Sequence, residues 1–296
     1  MTIPLVSICS ITYNHAPFIR QCLDGFLMQQ CNFPIEIIIN DDCSTDGTTE
    51  IIREYAEKYP DKIFPIFHEE NQYSKGVRGM FQKFVFPKAR GKYIALCEGD
   101  DYWTDPLKLQ KQVDFLESHP DYSMCFHGCK TVRSDGTSSK LFHFLENREY
   151  TKKEIITRWC VPTASLLYRS EVIHGIPRHD KFCVGDNVIV YTCLLFGRVY
   201  CFGDQMSVYR IHDGGWTQSD STCQSEMMLQ HYSTLIDVFP VKYRAYLQQA
   251  KSHFYWGMAR LVYKVSYFQC IRVLLRGFYD SPLAMVKAFV QEKKER

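Results

Sequence analysis

Residues 98–101 read Glu, Gly, Asp, Asp and directly follow an apolar run. Two adjacent carboxylates, Asp100 and Asp101, with Glu98 two residues earlier, form a hard oxygen-donor cluster that repels itself unless a cation is present; magnesium or manganese is the natural occupant. At about 4 Å and an effective dielectric near 20, each pair of unit charges is worth roughly 4 kcal/mol. A divalent ion there could hold a diphosphate that the carboxylates alone would reject, and would stabilise a departing nucleoside diphosphate. Two more polar clusters stand in the same relation to apolar runs: Thr12, Tyr13 and Asn14, then Asp41 and Asp42. Taken singly, each is an ordinary turn, because Asp and Asn favour turns through local hydrogen bonds. The chain has no GxxxxGK[ST] loop and no GxGxxG after the first strand. Phosphate bound without a glycine cradle needs a metal bridge, which favours the acidic cluster.

The elements that must position these clusters alternate short β-rich runs with helical patterns, the signature of a parallel sheet covered by helices. Strands are expected at 5–11, 36–39, 63–67 and 93–97, and helices from Pro17, over 48–59, 76–89 and 106–118. Ligands of an open parallel sheet collect at the carboxyl ends of its strands, so the three clusters should converge on one crevice. Further on, an apolar run at 122–128 precedes a polar loop at 134–140, strand candidates fall at 164–168 and 199–202, and the chain reads as helical from about 225. The fold class is α/β, a Rossmann-like, mostly parallel sheet flanked by helices, with a helical C-terminal extension. The expected division is a domain at 1–220, in halves at 1–105 and 106–220, followed by the extension at 221–296.

Composition narrows the function classes. The 296 residues are 46% apolar and 23% charged, with 35 basic against 33 acidic side chains. That balance excludes disordered, collagen-like and coiled-coil chains and gives no overall electrostatic reason to bind nucleic acid. Thirteen cysteines are scattered, with Cys9, Cys97 and Cys125 inside apolar runs and no CxxC pair, so they read as reduced core residues. The N-terminus shows neither a basic segment nor a small-residue cleavage site, and no stretch of about 18 apolar residues occurs; a cytoplasmic location is expected. Residues 241–296 carry 11 basic against 3 acidic residues, while the rest of the chain is net acidic. There Phe254, Met258, Leu261, Val265 and Phe268 recur at three or four residues beside Arg260, Lys264 and Arg272. Such a helix suits docking on its own core, as most amphipathic helices do, or peripheral contact with the inner face of an anionic membrane, each basic residue adding about 1 kcal/mol near the headgroups.

The joint succession PLVSICSITYN, IIINDDCSTDGT and GKYIALCEGDDYWTDPLKL resembles family 2 glycosyltransferases of the GT-A fold, of bacterial surface-polysaccharide type. The resemblance is strong over the first 115 residues or so and runs on to about residue 215. It implies transfer of a sugar from a nucleotide-sugar donor, UDP-linked by analogy, to a glycan or lipid-linked saccharide acceptor, with inversion and with Mn2+ or Mg2+. Carried over by position, Thr12, Tyr13 and Asn14 resemble the turn lining the nucleoside pocket, and Asp42, with Asp41 beside it, the acid that meets the base. Asp100 and Asp101 resemble the metal and diphosphate motif, with Asp101 the favoured ligand. Asn71, Gly76 and Arg78 fall in the segment that crosses the donor sugar and ribose.

Inversion in one displacement needs a base to take the acceptor proton, and Asp186 stands at the matching distance ahead of a helical pattern. Gly185 replaces the acid that often precedes it, and Asp186 is equally suited to cap that helix. His212 resembles a C-terminal metal-binding histidine, and Arg210 is a candidate partner for the diphosphate. Trp103 and Trp216 are candidates for stacking on sugars or for loop packing; Trp159 and Thr163 fall on the acceptor side. Two other readings remain: a non-catalytic nucleotide-sugar or glycan-binding module, and a sugar-phosphate nucleotidyltransferase, whose glycine-rich first loop TYNHAPFIR lacks.

Overall fold

The computed structural model describes residues 3–139, 142, 145–213, 215 and 221–295. They fall into two compact units, one of 1–151, 160–176 and 185–212, the other of 152–159, 177–184 and 213–296.

The first unit is built on one mixed sheet. In chain order its elements are β1 (Val6–Thr12), α1 (Ile19–Leu27), β2 (Ile35–Asp41), α2 (Thr48–Lys58), β3 (Ile63–Phe67), β4 (Tyr93–Leu96), β5 (Tyr102–Trp103), α3 (Lys108–Ser118), β6 (Tyr122–Arg133), β7 (Ser138–Ser139) and β8 (Arg148–Glu149). After α4 (Lys152–Thr157), which belongs to the second unit, come β9 (Leu167–Arg169), α5 (Gly185–Phe196) and β10 (Arg198–Ile211). Along the main path the strand order is β3-β2-β1-β4-β9-β6-β10-β5. The long ladders are parallel, and the short β9 runs antiparallel between β4 and β6. Val6, Ile8 and Ile37 to Ile39 are buried, as expected of β-branched residues in a sheet covered on both faces. In α1 the buried Ile19, Cys22, Leu23 and Phe26 follow the helical repeat and close one face.

Two expectations change. Instead of a helix over 76–89, a single π turn at Phe81–Val85 runs into a 3-10 turn at Phe86–Lys88. Gly76 and Gly79 adopt φ of +86° and +69°, outside the helical region, and Pro87 lacks an N–H for the helical ladder. Strand β10 is far longer than the 199–202 expected. It pairs with β6 from Tyr122 to Arg133, absorbing its polar Gly-Asp-Gln segment in register shifts near Phe202 and Gln205.

The second unit is helical, with α4 joined by α6 (Thr222–Val238), α7 (Arg244–Tyr263), α8 (Tyr267–Asp280) and α9 (Pro282–Glu295). Helix α7 is central and packs against α4, α6, α8 and α9. Its core holds Leu229, Tyr255, Met258 and Met285. Segments 152–159 and 177–184, which sequence alone assigns to the first domain, group with these helices. Ile155 and Ile156 of α4 are buried, and the Phe182 ring meets His231 edge-on at 5.5 Å. The apolar stripe at 254–268 is divided: α7 ends at Tyr263, and Ser266 caps α8 by accepting the Gln269 N–H. Met258 faces the core, whereas Val265 and Phe268 are exposed. Among the described residues no helix is long and apolar enough to cross a membrane.

Candidate active site

Strand β1 lies between β2 and β4, so the turns after all three meet at one end of the sheet, where the strand order changes direction. The turn after β1 is tied to the one after β2. Asn14, at φ +53°, accepts the Thr45 N–H at 2.8 Å, and the amides of His15 and Ala16 donate to Thr48 Oγ1 and Asp46 Oδ2. The Asp42 N–H donates to the Thr12 carbonyl at 3.0 Å. On the other side, the Gly99 N–H donates to the Ile11 carbonyl. A Cβ on Gly99 would stand 2.5 Å from Thr12 Oγ1, so only glycine lets the two turns touch.

Three side chains converge there. His212, just past β10, places Nε2 at 3.1 Å from Asp100 Oδ2, and His15 Nε2 faces the same oxygen at 3.8 Å. Candidate ligand atoms of His15, Asp100 and His212 all lie within 4.8 Å of one another, a spacing that suits one metal ion. Asp101, the ligand favoured from sequence, is not part of this group. It is buried and its Oδ1 accepts the Arg210 backbone N–H at 2.9 Å. His15 was not singled out from sequence. Its only signal there is its place in the turn that follows β1.

Thr12 Oγ1, His15 Nδ1, Asp100 Oδ1 and Asp101 Oδ2 are buried without a hydrogen-bond partner. Orphaned polar atoms of this kind are rare in folded proteins, and four in the adjoining turns after β1 and β4 mark a place suited to a bound group. Electrostatics agree. Burial first, then the neighbouring Asp100 and Asp186, push Glu98 up to about 8. Burial and the nearby Asp100 push Asp101 well above the usual carboxylate range. Burial also raises Asp100, but the hydrogen bond from His212 and the charge of His15 outweigh it, and the net shift is downward. His15 is lowered, by burial above all. So many carboxyls cannot all ionise in one pocket without added positive charge.

Of the remaining residues expected to meet the donor, several are already bonded within the turns after β2 and β3. Asp41 accepts the Ser44 N–H and the Ser44 and Thr49 hydroxyls, so it holds the turn after β2. Asp42 accepts the amides of Gln72 and Tyr73 at 2.7 and 3.0 Å. Asn71 donates to the Asp42 carbonyl and accepts the Ser74 N–H, and Arg78 donates to the carbonyls of Tyr73 and Val77 with its guanidinium over the Tyr73 ring. Tyr13 is exposed. Arg210 already donates to the Asp100 carbonyl and to Gln21 while lying over Phe18 and Tyr102, which fixes the turn carrying the metal motif.

Asp186 sits in the first turn of α5, where its Oδ1 accepts the Asn187 N–H and its Oδ2 the Thr163 hydroxyl at 3.1 Å. Burial raises its carboxyl, and its charge adds to the upward shift of Glu98. Trp103 packs the core: it is buried, donates its Nε1–H to the Ala164 carbonyl and meets the Phe26 ring at 4.8 Å, leaving no face for a sugar. Trp159 is exposed in the second unit, and Trp216 lies outside the described residues.

Residues 7–176 match the model of glycosyl transferase family 2. The chain belongs to this family. Relatives include "Uncharacterized protein Rv1520" of Mycobacterium tuberculosis, 41% identical over 217 residues, or 71% of this chain and 60% of that protein. The chain thus spans about 60% of the length of this relative. Among solved structures, TarS of S. aureus in complex with UDP-GlcNAc has a TM-score of 0.69 at 20% identity, covering 96% of this chain and 83% of that one. The mannosyltransferase PcManGT of Pyrobaculum calidifontis, in complex with GDP-Man and Mn2+, has a TM-score of 0.63 at 17% identity, covering 99% and 88%. These likenesses show the GT-A fold, with the helical region following the sheet, as the sequence resemblance implies.

Proposed function

We propose that this family 2 chain transfers a sugar from a nucleotide-sugar donor to a hydroxyl of a glycan or lipid-linked saccharide, with inversion in a single displacement. The observation that carries the reading is the meeting of His15, Asp100 and His212 beside the turn after β1, with Asp186 close enough to raise Glu98. UDP-linked sugars are the proposed donors, supported by the likeness to TarS with UDP-GlcNAc. Thr12, Tyr13, Asn14 and Asp42 are assigned to the nucleoside, with Asp41 supporting the turn beneath. Asn71, Gly76 and Arg78 are assigned to the ribose and sugar.

The donor set fits a divalent ion. Two imidazoles and one carboxylate suit Mn2+ better than Mg2+, which prefers an all-oxygen shell. His15, Asp100 and His212 would hold it, beside the unpartnered Oδ2 of Asp101. When bound, such an ion supplies positive charge for the diphosphate. Asp186 takes the proton of the acceptor hydroxyl as that oxygen bonds to the anomeric carbon. The bond from that carbon to the diphosphate oxygen breaks, and its electron pair leaves with the nucleoside diphosphate. Burial raises Asp186 toward the basicity this step needs. Thr163 orients it.

The test is incubation with a panel of UDP-sugars and GDP-mannose in Mn2+, following nucleotide release. Release by the native chain, lost in Asp186→Asn while donor binding persists, supports the reading. Donor binding without turnover for any acceptor of this class would leave a binding module in its place.

A further inference from the structure

Helices α8 and α9 are apolar on two faces. One face of each joins the helical core, through Cys270, Val273 and Leu274 in α8 and Met285 in α9. The other face of α8 aligns Phe268, Ile271, Leu275 and Phe278 at successive spacings of three and four residues, with Phe268 71% and Leu275 63% exposed. On α9, Leu283, Val286 and Val290 repeat the pattern, with Leu283 65% exposed. Isolated exposed apolar residues are ordinary, but two ordered stripes on neighbouring helices are not.

Charge selects the occupant. Lys264, Arg272 and Lys287 are exposed along the same stretch. Between residues 261 and 290 the sole acid is Asp280, which is bridged to Lys251 at 2.5 Å. Exposed tyrosines stand at the margins, at positions 263, 267 and 279. A second copy of the chain on a twofold axis would set Lys264, Arg272 and Lys287 against their own images, and the one acid of this stretch, Asp280, is already paired. Lipid phosphate meets them directly, while the apolar stripes enter the headgroup boundary and the tyrosines lie at its level.

We propose that the exposed face of α8 and α9 docks on the surface of an anionic lipid bilayer. The proposal is independent of the glycosyl-transfer reading, because docking needs neither donor nor Mn2+.

The experiment is co-sedimentation of the full chain, without nucleotide, with vesicles of phosphatidylcholine alone or mixed with phosphatidylglycerol. The expected result is retention on the anionic vesicles at low salt, falling about tenfold or more at high salt or on the neutral vesicles. Phe268→Ser with Leu275→Ser, and separately Arg272→Glu with Lys287→Glu, should each lower retention about tenfold with melting unchanged. Equal retention on both vesicle types, or no loss in either variant, overturns the proposal. So does a lipid-free dimer in light scattering that Phe268→Ser with Leu275→Ser abolishes, since a second copy would then cover the face. Should a variant melt early, the native chain's response to lipid charge and salt still decides.

Discussion

His212 Nε2 lies 3.1 Å from Asp100 Oδ2, although 112 residues separate the two in the chain. The contact joins the end of β10 to the turn after β4, and His15 approaches the same oxygen from the turn after β1. Three strand ends thus share one carboxylate oxygen.

If these side chains hold the ion, His15→Gln and His212→Gln should each weaken Mn2+ binding about tenfold or more. Titration followed by electron paramagnetic resonance reads this without turnover. Unchanged affinity in His15→Gln would reduce that residue to packing against Phe18.

Gly99→Ala tests the contact between the turns. Its Cβ would meet Thr12 at 2.5 Å and His15 Nδ1 at 3.1 Å. The variant should lose about 1–3 kcal/mol of stability, as overpacked sites do, and bind Mn2+ more weakly. Calorimetric melting and metal titration measure the two effects.

Asp186 should shape the pH profile. A base works only when deprotonated, and burial places this carboxyl above its ordinary range. Turnover should therefore climb with pH through that raised value and be lost as pH falls below it. In Asp186→Asn, turnover should drop by about 10²–10⁴-fold and this acid limb should vanish, while donor affinity stays within about twofold.

Lys108 gives a prediction for stability. It is fully buried, its Nζ donates to Gln112 at 2.7 Å and lies 4.0 Å from the Trp103 ring, and burial lowers it to about 7. In the unfolded chain it titrates near 10.4. Between those values the unfolded state binds the extra proton, so stability rises with pH across the window; the penalty is full below it. Urea unfolding should show the native chain gaining about 1–3 kcal/mol more than Lys108→Met from pH 7 to 9.5.

Much of the sheet was legible because β1, β2, β3 and β4 are short apolar runs closed by turn residues, a pattern local enough to read. The bonds between Asn14, Ser44 and Thr45 follow from that same turn chemistry. What sequence did not reveal depends on tertiary approach. Asp100 and Asp101 stand out in the sequence, but His15 cannot be told from an ordinary turn residue, nor can the choice of Asp100 over Asp101 be made, until Gly99 brings the turns together. The segment at 76–89 misled for the converse reason: its apolar spacing is helical, but two glycines at positive φ confine it to single turns. Likewise the stripe at 254–268 ran through a break that only the Ser266 cap reveals.

The parallel pairing of β10 with β6 also bears on biosynthesis. His212 follows the last strand of the sheet, whereas His15 follows the first. If His15, Asp100 and His212 hold the ion, a ribosome-bound chain that has emerged only as far as α5 has two of these three side chains and no complete site. Closing that long span is entropically costly and slow, so available Mn2+ should favour the finished fold over earlier, incomplete ones.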